Sequence, residues 1–355
     1  MVVMLFWTFW CLAAFVGSAT LTGQLVTWTL SRGLLDIPND RSSHTRPTPR
    51  GGGLAIVAVM MLAALLTCGL YPQSAGIIAA VALPAAAIAA VSWLDDLKPV
   101  QNRTRFGVHL GAAIAATALL GPLPAVQLGS LGSLDFGAAA WPLTILWIVG
   151  LTNAFNFMDG IDGIAGITAA AAGCGLAAAA AAVGAPPTGA LAAALAGAAL
   201  GFLAHNWQPA KIFMGDVGSA FCGFMLAVIP LAAPAGLREK LVPVVVAALW
   251  PFLLDTTFTL LRRAIRRENI FQAHRTHLYQ RLTVAGWSHR SVARLYGMLS
   301  AITAALAAGP FIDPECRLAA DNALLAMLLA GAAGLAACVF LAEKTQSLRT
   351  EEPAS

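Results

Sequence analysis

The sequence predicts an all-α fold: a polytopic membrane protein with about 10–11 transmembrane helices. Three observations predict it. First, 59% of the 355 residues are hydrophobic and only 11% are charged, whereas a soluble domain carries roughly 25% charged residues. With a mean hydropathy of +0.76, the chain cannot coat a globule with polar side chains, but lipid tails solvate apolar faces without such a coat. Second, apolar stretches close to the ~20 residues that a spanning helix needs recur along the chain. Third, the charged residues gather between these stretches, mostly on one side.

Taken in order, the candidate spans are 3–28, 53–71, 75–94, 106–123, 139–158, 163–183, 188–206, 217–234, 240–261, 292–310 and 320–342. The first has no basic residues before its apolar run, so it reads as a span and not as a cleaved signal. The pair at 163–183 and 188–206 is rich in alanine, which is weakly apolar, but small residues suit close helix contact in lipid. Between the ninth and tenth spans lies one sizeable polar insertion, 262–291. The expected organisation is a single multi-spanning domain over 1–342 with a short polar tail at 343–355. The six cysteines are scattered, mostly in apolar runs, with no CxxC pair, and read as small buried residues.

Orientation follows from Lys and Arg in the short loops. One side carries 18 of the 21, in the loops at 31–52, 95–105, 159–162, 207–216 and 262–291, the start of the tenth span and the tail. Arg238, Lys240 and Arg317 occupy the other side. The basic side is expected to be cytoplasmic, with the N-terminus periplasmic and membrane lipids as the surroundings. The net charge of +4 and the lack of a basic nucleic-acid motif point away from nucleic acid.

Unusual polar residues fall on that same side. Asp95 and Asp96 end the third span in SWLDDLKPV, followed by Lys98, Arg103 and Arg105. Adjacent carboxylates repel unless a cation sits near them, so the pair reads either as a cation or proton site or as a solvated helix end. NAFNFMDGIDG places Asn153, Asn156, Asp159 and Asp162 around the reversal between spans five and six, with Gly160 and Gly163 permitting the turn. Four oxygen-bearing side chains so close to lipid are costly unless they serve water, metal or substrate, and oxygen ligands suit a hard cation such as Mg2+. In IFMGDVGS, Asp216 opens span eight and reads equally as a helix cap or a metal ligand. RSSHTRPTPRGGG gathers Arg41, His44, Arg46 and Arg50 before glycines that let backbone approach closely, and Arg suits bidentate phosphate contact. In the insertion, Arg262, Arg263, Arg266 and Arg267 suit anionic headgroups, while His274, Arg275 and His277 are placed to grip a diphosphate. Asp255 lies about 10 Å deep in span nine at 1.5 Å per residue, and reads either as functional or as a partner for a nearby Arg.

PTPRGGG, LDDL, NAFNFMDGIDGIAG and IFMGDVGS, in this order, resemble the polyprenyl-phosphate N-acetylhexosamine-1-phosphate transferase family, from about Asp36 to Leu282. RSSHTRPTPRGGG with AHRTHLYQRL is most similar to the branch that starts lipopolysaccharide O-antigen synthesis. The resemblance implies transfer of a sugar phosphate from a UDP-N-acetylhexosamine to undecaprenyl phosphate at the bacterial inner membrane, with release of UMP. It implies catalytic roles for Asp95, Asp96 and Asp159, and substrate binding by Arg50, Asp162, His274, Arg275 and His277. It also implies Asn156 and Asp216 as ligands of Mg2+, with Mn2+ as a substitute. Where many members carry adjacent histidines, this chain reads His277-Leu278-Tyr279-Gln280, which argues against the peptidoglycan phospho-MurNAc-pentapeptide transferase. A transporter or flippase is the rival from another class, although transporters place polar groups near mid-bilayer. The sugar, a direct or aspartyl-phosphate route, and oligomeric state, a homodimer included, stay open.

Overall fold

The structure, a computed structural model, describes residues 2–38, 46–269 and 275–351. Arg41, His44 and His274 lie outside the described residues. Helices α1 (Val2–Arg32), α2 (Gly53–Leu70), α3 (Ala75–Leu97), α4 (Asn102–Leu120), α5 (Ala140–Phe157), α6 (Ile164–Ala182) and α7 (Pro186–Asn206) are followed by α8 (Asp216–Val228), α9 (Arg238–Ile265), α10 (Leu278–Val284), α11 (His289–Ile312) and α12 (Arg317–Glu351). All eleven expected spans coincide with helices. Among the described residues, nine helices are long and apolar enough to cross a membrane. The other two of the eleven are α4 and α8. Helix α4 opens with Arg103 and Arg105 and carries His109 in its second turn. Helix α8 has 13 residues and continues only as a 3-10 turn to Ala232.

The expected 262–291 insertion is partly helical. Helix α9 runs on to Ile265, α11 already begins at His289, and α10 lies between them. Two short antiparallel hairpins complete the chain. β1 (Leu35–Asp36) pairs with β2 (Thr48–Pro49) beside the start of α2, and β3 (Ala125–Gln127) pairs with β4 (Ser133–Asp135) in the α4–α5 connection. The second hairpin is tied to α12, where Asp321 accepts the Ser130 N–H at 2.6 Å.

The alanine-rich pair forms the centre of the bundle. Helix α7 packs along both α1 and α6, α8 packs on α3 and α5, and α11 packs on α6 and α9. About three-quarters of α6 and α7 is buried. Glycines set how closely these helices approach. A Cβ on Gly197 would strike the Cys11 carbonyl, one on Gly201 the Phe15 carbonyl, and one on Gly173 would sit 2.9 Å from the Ala196 nitrogen. Small side chains at such crossings let dispersion contacts replace the hydrophobic drive that lipid does not supply. Leu65, Leu83, Leu146 and Phe340 point outward, as suits a lipid-facing surface.

Gly197→Val is therefore expected to destabilise the detergent-solubilised protein by about 1–3 kcal/mol through overpacking. Gly111→Ala, with nothing within 4 Å of the added atom, is expected to be neutral. Thermal unfolding followed by size-exclusion chromatography checks both.

Candidate active site

The polar ends of several helices converge at one end of the bundle, the C-termini of α3, α5 and α7 and the N-termini of α2, α6, α8 and α11. They enclose a cavity of about 320 Å³ lined by Arg50, Asp96, Asn156, Asp159, Asp162 and Asp216 among others. Six of the ten residues named from the sequence thus share one site.

Glycines make the convergence possible. The segment before α2 runs beside the one before α8: Phe213 N–H donates to the Pro49 carbonyl at 2.8 Å, Gly52 N–H to the Phe213 carbonyl at 2.9 Å, and Gly53 N–H to the Met214 carbonyl at 2.8 Å. A Cβ on Gly53 would collide with the Gly218 backbone, and one on Gly51 would lie 2.7 Å from the Trp93 ring. Gly51 also has a φ of +94°, a conformation that only glycine adopts cheaply.

The paired aspartates face different ways. Asp95 accepts from Val100 N–H at 2.6 Å and from Arg105 Nη1 at 2.5 Å, and it does not line the cavity. Asp96 is buried, and its carboxylate accepts the Asp216 and Val217 N–H groups at 3.1 and 3.0 Å. It thereby caps α8 from a different helix, a bond to a charged acceptor worth about 1.5–3 kcal/mol. Gly215 leaves room for it, since a Cβ there would sit 2.6 Å from Asp96 Oδ2. The guanidinium of Arg50 donates to the Asp96 carbonyl.

With Asp96 as the cap, Asp216 does not cap its own helix. Its carboxylate lies 2.7 Å from Arg105 Nη2, so Arg105 bridges Asp95 and Asp216, and the Asp216 carboxyl also meets the Asn156 side chain. The Asn156 amide donates to Ser219 Oγ at 2.9 Å. Asn156 and Asp216, read as a pair from the sequence, therefore meet in space.

Asp159 sits in the α5–α6 turn, half-buried, and its carboxylate takes no hydrogen bond from the described residues. Burial, then the neighbouring Asp216, Asp96 and Asp162, push its pKa up to about 8. Asp162 is tied down on both oxygens. Ala210 N–H donates to Oδ2 at 3.1 Å, and His289 Nδ1 lies 3.3 Å from Oδ1. The turn itself is held by Asn206, whose Oδ1 accepts the Gly163 N–H at 2.9 Å, with Gly163 at a φ of +80°.

The insertion residues fare differently. His277 is buried, with Nδ1 3.1 Å from Asp255 Oδ1, and it packs inward at the N-terminus of α10. Arg275 is half-buried and is not among the cavity-lining residues. Asp255 does not pair with an Arg. It is fully buried, takes the Leu278 and Tyr279 N–H groups at 2.8 and 3.0 Å, and accepts from the Tyr296 hydroxyl at 2.8 Å. It docks α10 onto α9 and α11. Tyr279, thus positioned, donates to the Phe157 carbonyl at 3.2 Å, where Gly160 leaves space for its hydroxyl.

Sequence reading missed Asp36, Asn206, Ser219, Gln280 and His289, which also line the cavity. Ser219 closes the quoted IFMGDVGS and Asn206 lies six residues before that motif, and Gln280 was named only as a departure from adjacent histidines. His289 carried no separate signal, because a polar residue at the start of a span reads as its flank.

The sequence matches glycosyl transferase family 4 over residues 78–233. It is 32% identical to a probable undecaprenyl-phosphate N-acetylglucosaminyl 1-phosphate transferase of Bacillus subtilis, over 77% of this chain and 76% of that protein. It is 30% identical to a decaprenyl-phosphate N-acetylglucosaminephosphotransferase of Mycolicibacterium smegmatis, over 82% and 79%. It is 32% identical to a phospho-N-acetylmuramoyl-pentapeptide-transferase of Heliobacterium modesticaldum, over 73% and 82%. With acids from the end of α3, the α5–α6 turn and the start of α8 around one cavity, and relatives matched over most of both lengths, the chain belongs to the polyprenyl-phosphate N-acetylhexosamine-1-phosphate transferase family.

Proposed function

We propose that the protein transfers N-acetylhexosamine-1-phosphate from a UDP-sugar to undecaprenyl phosphate at the bacterial inner membrane, as the initiating step of an O-antigen or related envelope polysaccharide. The observation that carries the reading is the meeting of Asn156, Asp159 and Asp216 in one cavity at the membrane-proximal helix ends. The names of the relatives, which act on undecaprenyl or decaprenyl phosphate and an N-acetylglucosamine phosphate, support the substrate class. Polar groups at helix ends, and not half-way along the spans, favour an enzyme over a transporter.

The donor set suits a divalent cation. All its ligating atoms are oxygens, and the raised pKa of Asp159 marks a cluster short of positive charge. Among the described residues no three acid, histidine or cysteine side chains already surround one point. Mg2+ fits that arrangement, because it takes one or two carboxylates and completes its shell with water and substrate phosphates. Asn156 and Asp216 would hold it, with Asp159 beside them, and when bound it would neutralise charge on the diphosphate. Mn2+ satisfies the same ligands.

The chain's own residues do the rest. Arg50, on the cavity wall, offers the diphosphate a donor. Arg105 bridges Asp95 and Asp216, and Asp96 fixes the start of α8. An oxygen of the lipid phosphate attacks the β-phosphorus of the UDP-sugar in line, the bond to UMP breaks, and polyprenyl-diphosphate-sugar stays in the membrane. With a cation beside it Asp159 would be ionised, and it would then be the acid placed to accept a proton from the lipid phosphate. That transfer is a small part of the barrier, since the second phosphate pKa is about 6. Similarity to a phospho-N-acetylmuramoyl-pentapeptide-transferase carries a second reading, in which the donor is a UDP-muramoyl-pentapeptide.

Purified protein with undecaprenyl phosphate is expected to release UMP from a UDP-N-acetylhexosamine and not from UDP-MurNAc-pentapeptide. The reverse preference would establish the second reading, and no release from either would exclude both. EDTA is expected to abolish the activity and excess Mg2+ to restore it. Asp216→Ala is expected to lower kcat on the order of 10²-fold or more while still expressing and folding, and full turnover would remove Asp216 from the site. The cytoplasmic assignment of the basic face predicts that a fluorescent protein fused after Ser355 fluoresces, whereas alkaline phosphatase fused there stays inactive.

A further inference from the structure

The geometry points to His289 as a further substrate-contacting residue, one that binds the diphosphate of the nucleotide-sugar through Nε2 while Asp162 orients its ring. The inference rests on the transferase reading above. His289 is the first residue of α11 and lines the same cavity as Asp159, Asp162 and Asp216. Its Nδ1 faces Asp162 Oδ1 at 3.3 Å and the Asp162 N–H at 3.4 Å. The Asp162 N–H donates to Nδ1, and a ring nitrogen that accepts there leaves the proton on Nε2, so this contact fixes the tautomer and the orientation of the ring together. The other ring nitrogen, Nε2, has no hydrogen-bond partner among the described residues. A ring so held presents its Nε2–H to the cavity as a donor.

Charge makes that donor useful. The cavity wall carries five carboxylates, from Asp36, Asp96, Asp159, Asp162 and Asp216, and its basic side chains are Arg50 and His289. Arg50 is already engaged with the Asp96 carbonyl. A polyanionic substrate entering such a wall needs donors, and His289 supplies one from the start of α11. The neighbours say which substrate. Ser288, Arg290 and Ser291 are exposed, and Arg290 is fastened to the loop before α8 through Gln208, with its N–H to Oε1 at 2.8 Å and its Nη2 to the carbonyl at 2.7 Å. His289 therefore stands where a water-soluble nucleotide arrives, at the polar insertion and away from the hydrocarbon.

Three substitutions test this. The side-chain amide nitrogen of Asn overlays Nδ1 of His, and that of Gln overlays Nε2. His289→Ala is expected to raise KM for the UDP-sugar and to weaken binding of UDP itself by roughly ten- to a hundredfold, with KM for the lipid phosphate unchanged. His289→Gln is expected to recover most of the loss and His289→Asn little of it. Recovery by Asn and not by Gln would mean that His289 only holds Asp162 and would overturn the proposal, as would wild-type affinity for UDP in both the Ala and the Asn variants. UDP binding is measured by calorimetry on the same proteins, so a loss of UDP affinity stands even if the transfer reaction is misassigned. Absence of UMP release from the unsubstituted enzyme sinks that assignment alone.

Discussion

The site depends on one long-range contact, the carboxylate of Asp96 seated on the first two amides of α8. A helix start leaves unpaired N–H groups and a partial positive charge. Asp96 meets both from another helix, and so fixes where α8 begins and how it is turned. Were Asp216 its own cap, its carboxylate would fold back on the backbone. Because Asp96 takes that place, Asp216 is left facing Arg105 and Asn156. Gly52, Gly53 and Gly218 let the segments before α2 and α8 lie side by side, while a Cβ on Gly215 would strike Asp96 itself and one on Gly51 would strike Trp93.

Around that contact the chain assembles more negative charge than it neutralises. Arg105 spans Asp95 and Asp216, which leaves Asp159 with no compensating partner and its proton held well above the ordinary carboxylate range. Such an imbalance is expensive near lipid. It is tolerable where a cation and a phosphate-bearing substrate take part in the balance, and the family to which the chain belongs handles phosphates on both of its substrates.

Much of this was legible in the sequence. The eleven apolar stretches correspond to helices, and the acids of the quoted motifs other than Asp95 reach one cavity because each motif sits at a helix end on the basic side. What was not legible required distance in the chain to collapse. Asp95 and Asp96 are adjacent, yet one turns to Arg105 and the other to α8, and spacing does not reveal that. His277 looked like a ligand-gripping residue, but Asp255, 22 residues before it, draws it inward. His289 is 127 residues from Asp162, and no local pattern links them. The helical turn at 278–284 escaped because its amphipathic signal is only seven residues long.

Asp255 also determines how the insertion is mounted. Its carboxylate grips the start of α10 from within the membrane-embedded length of α9, and Tyr279 on α10 reaches the end of α5. The segment bearing Gln280 is consequently a rigid bracket and not a flap. One buried carboxylate thus ties α9 and, through Tyr279, the end of α5 to the wall of the cavity that carries Gln280.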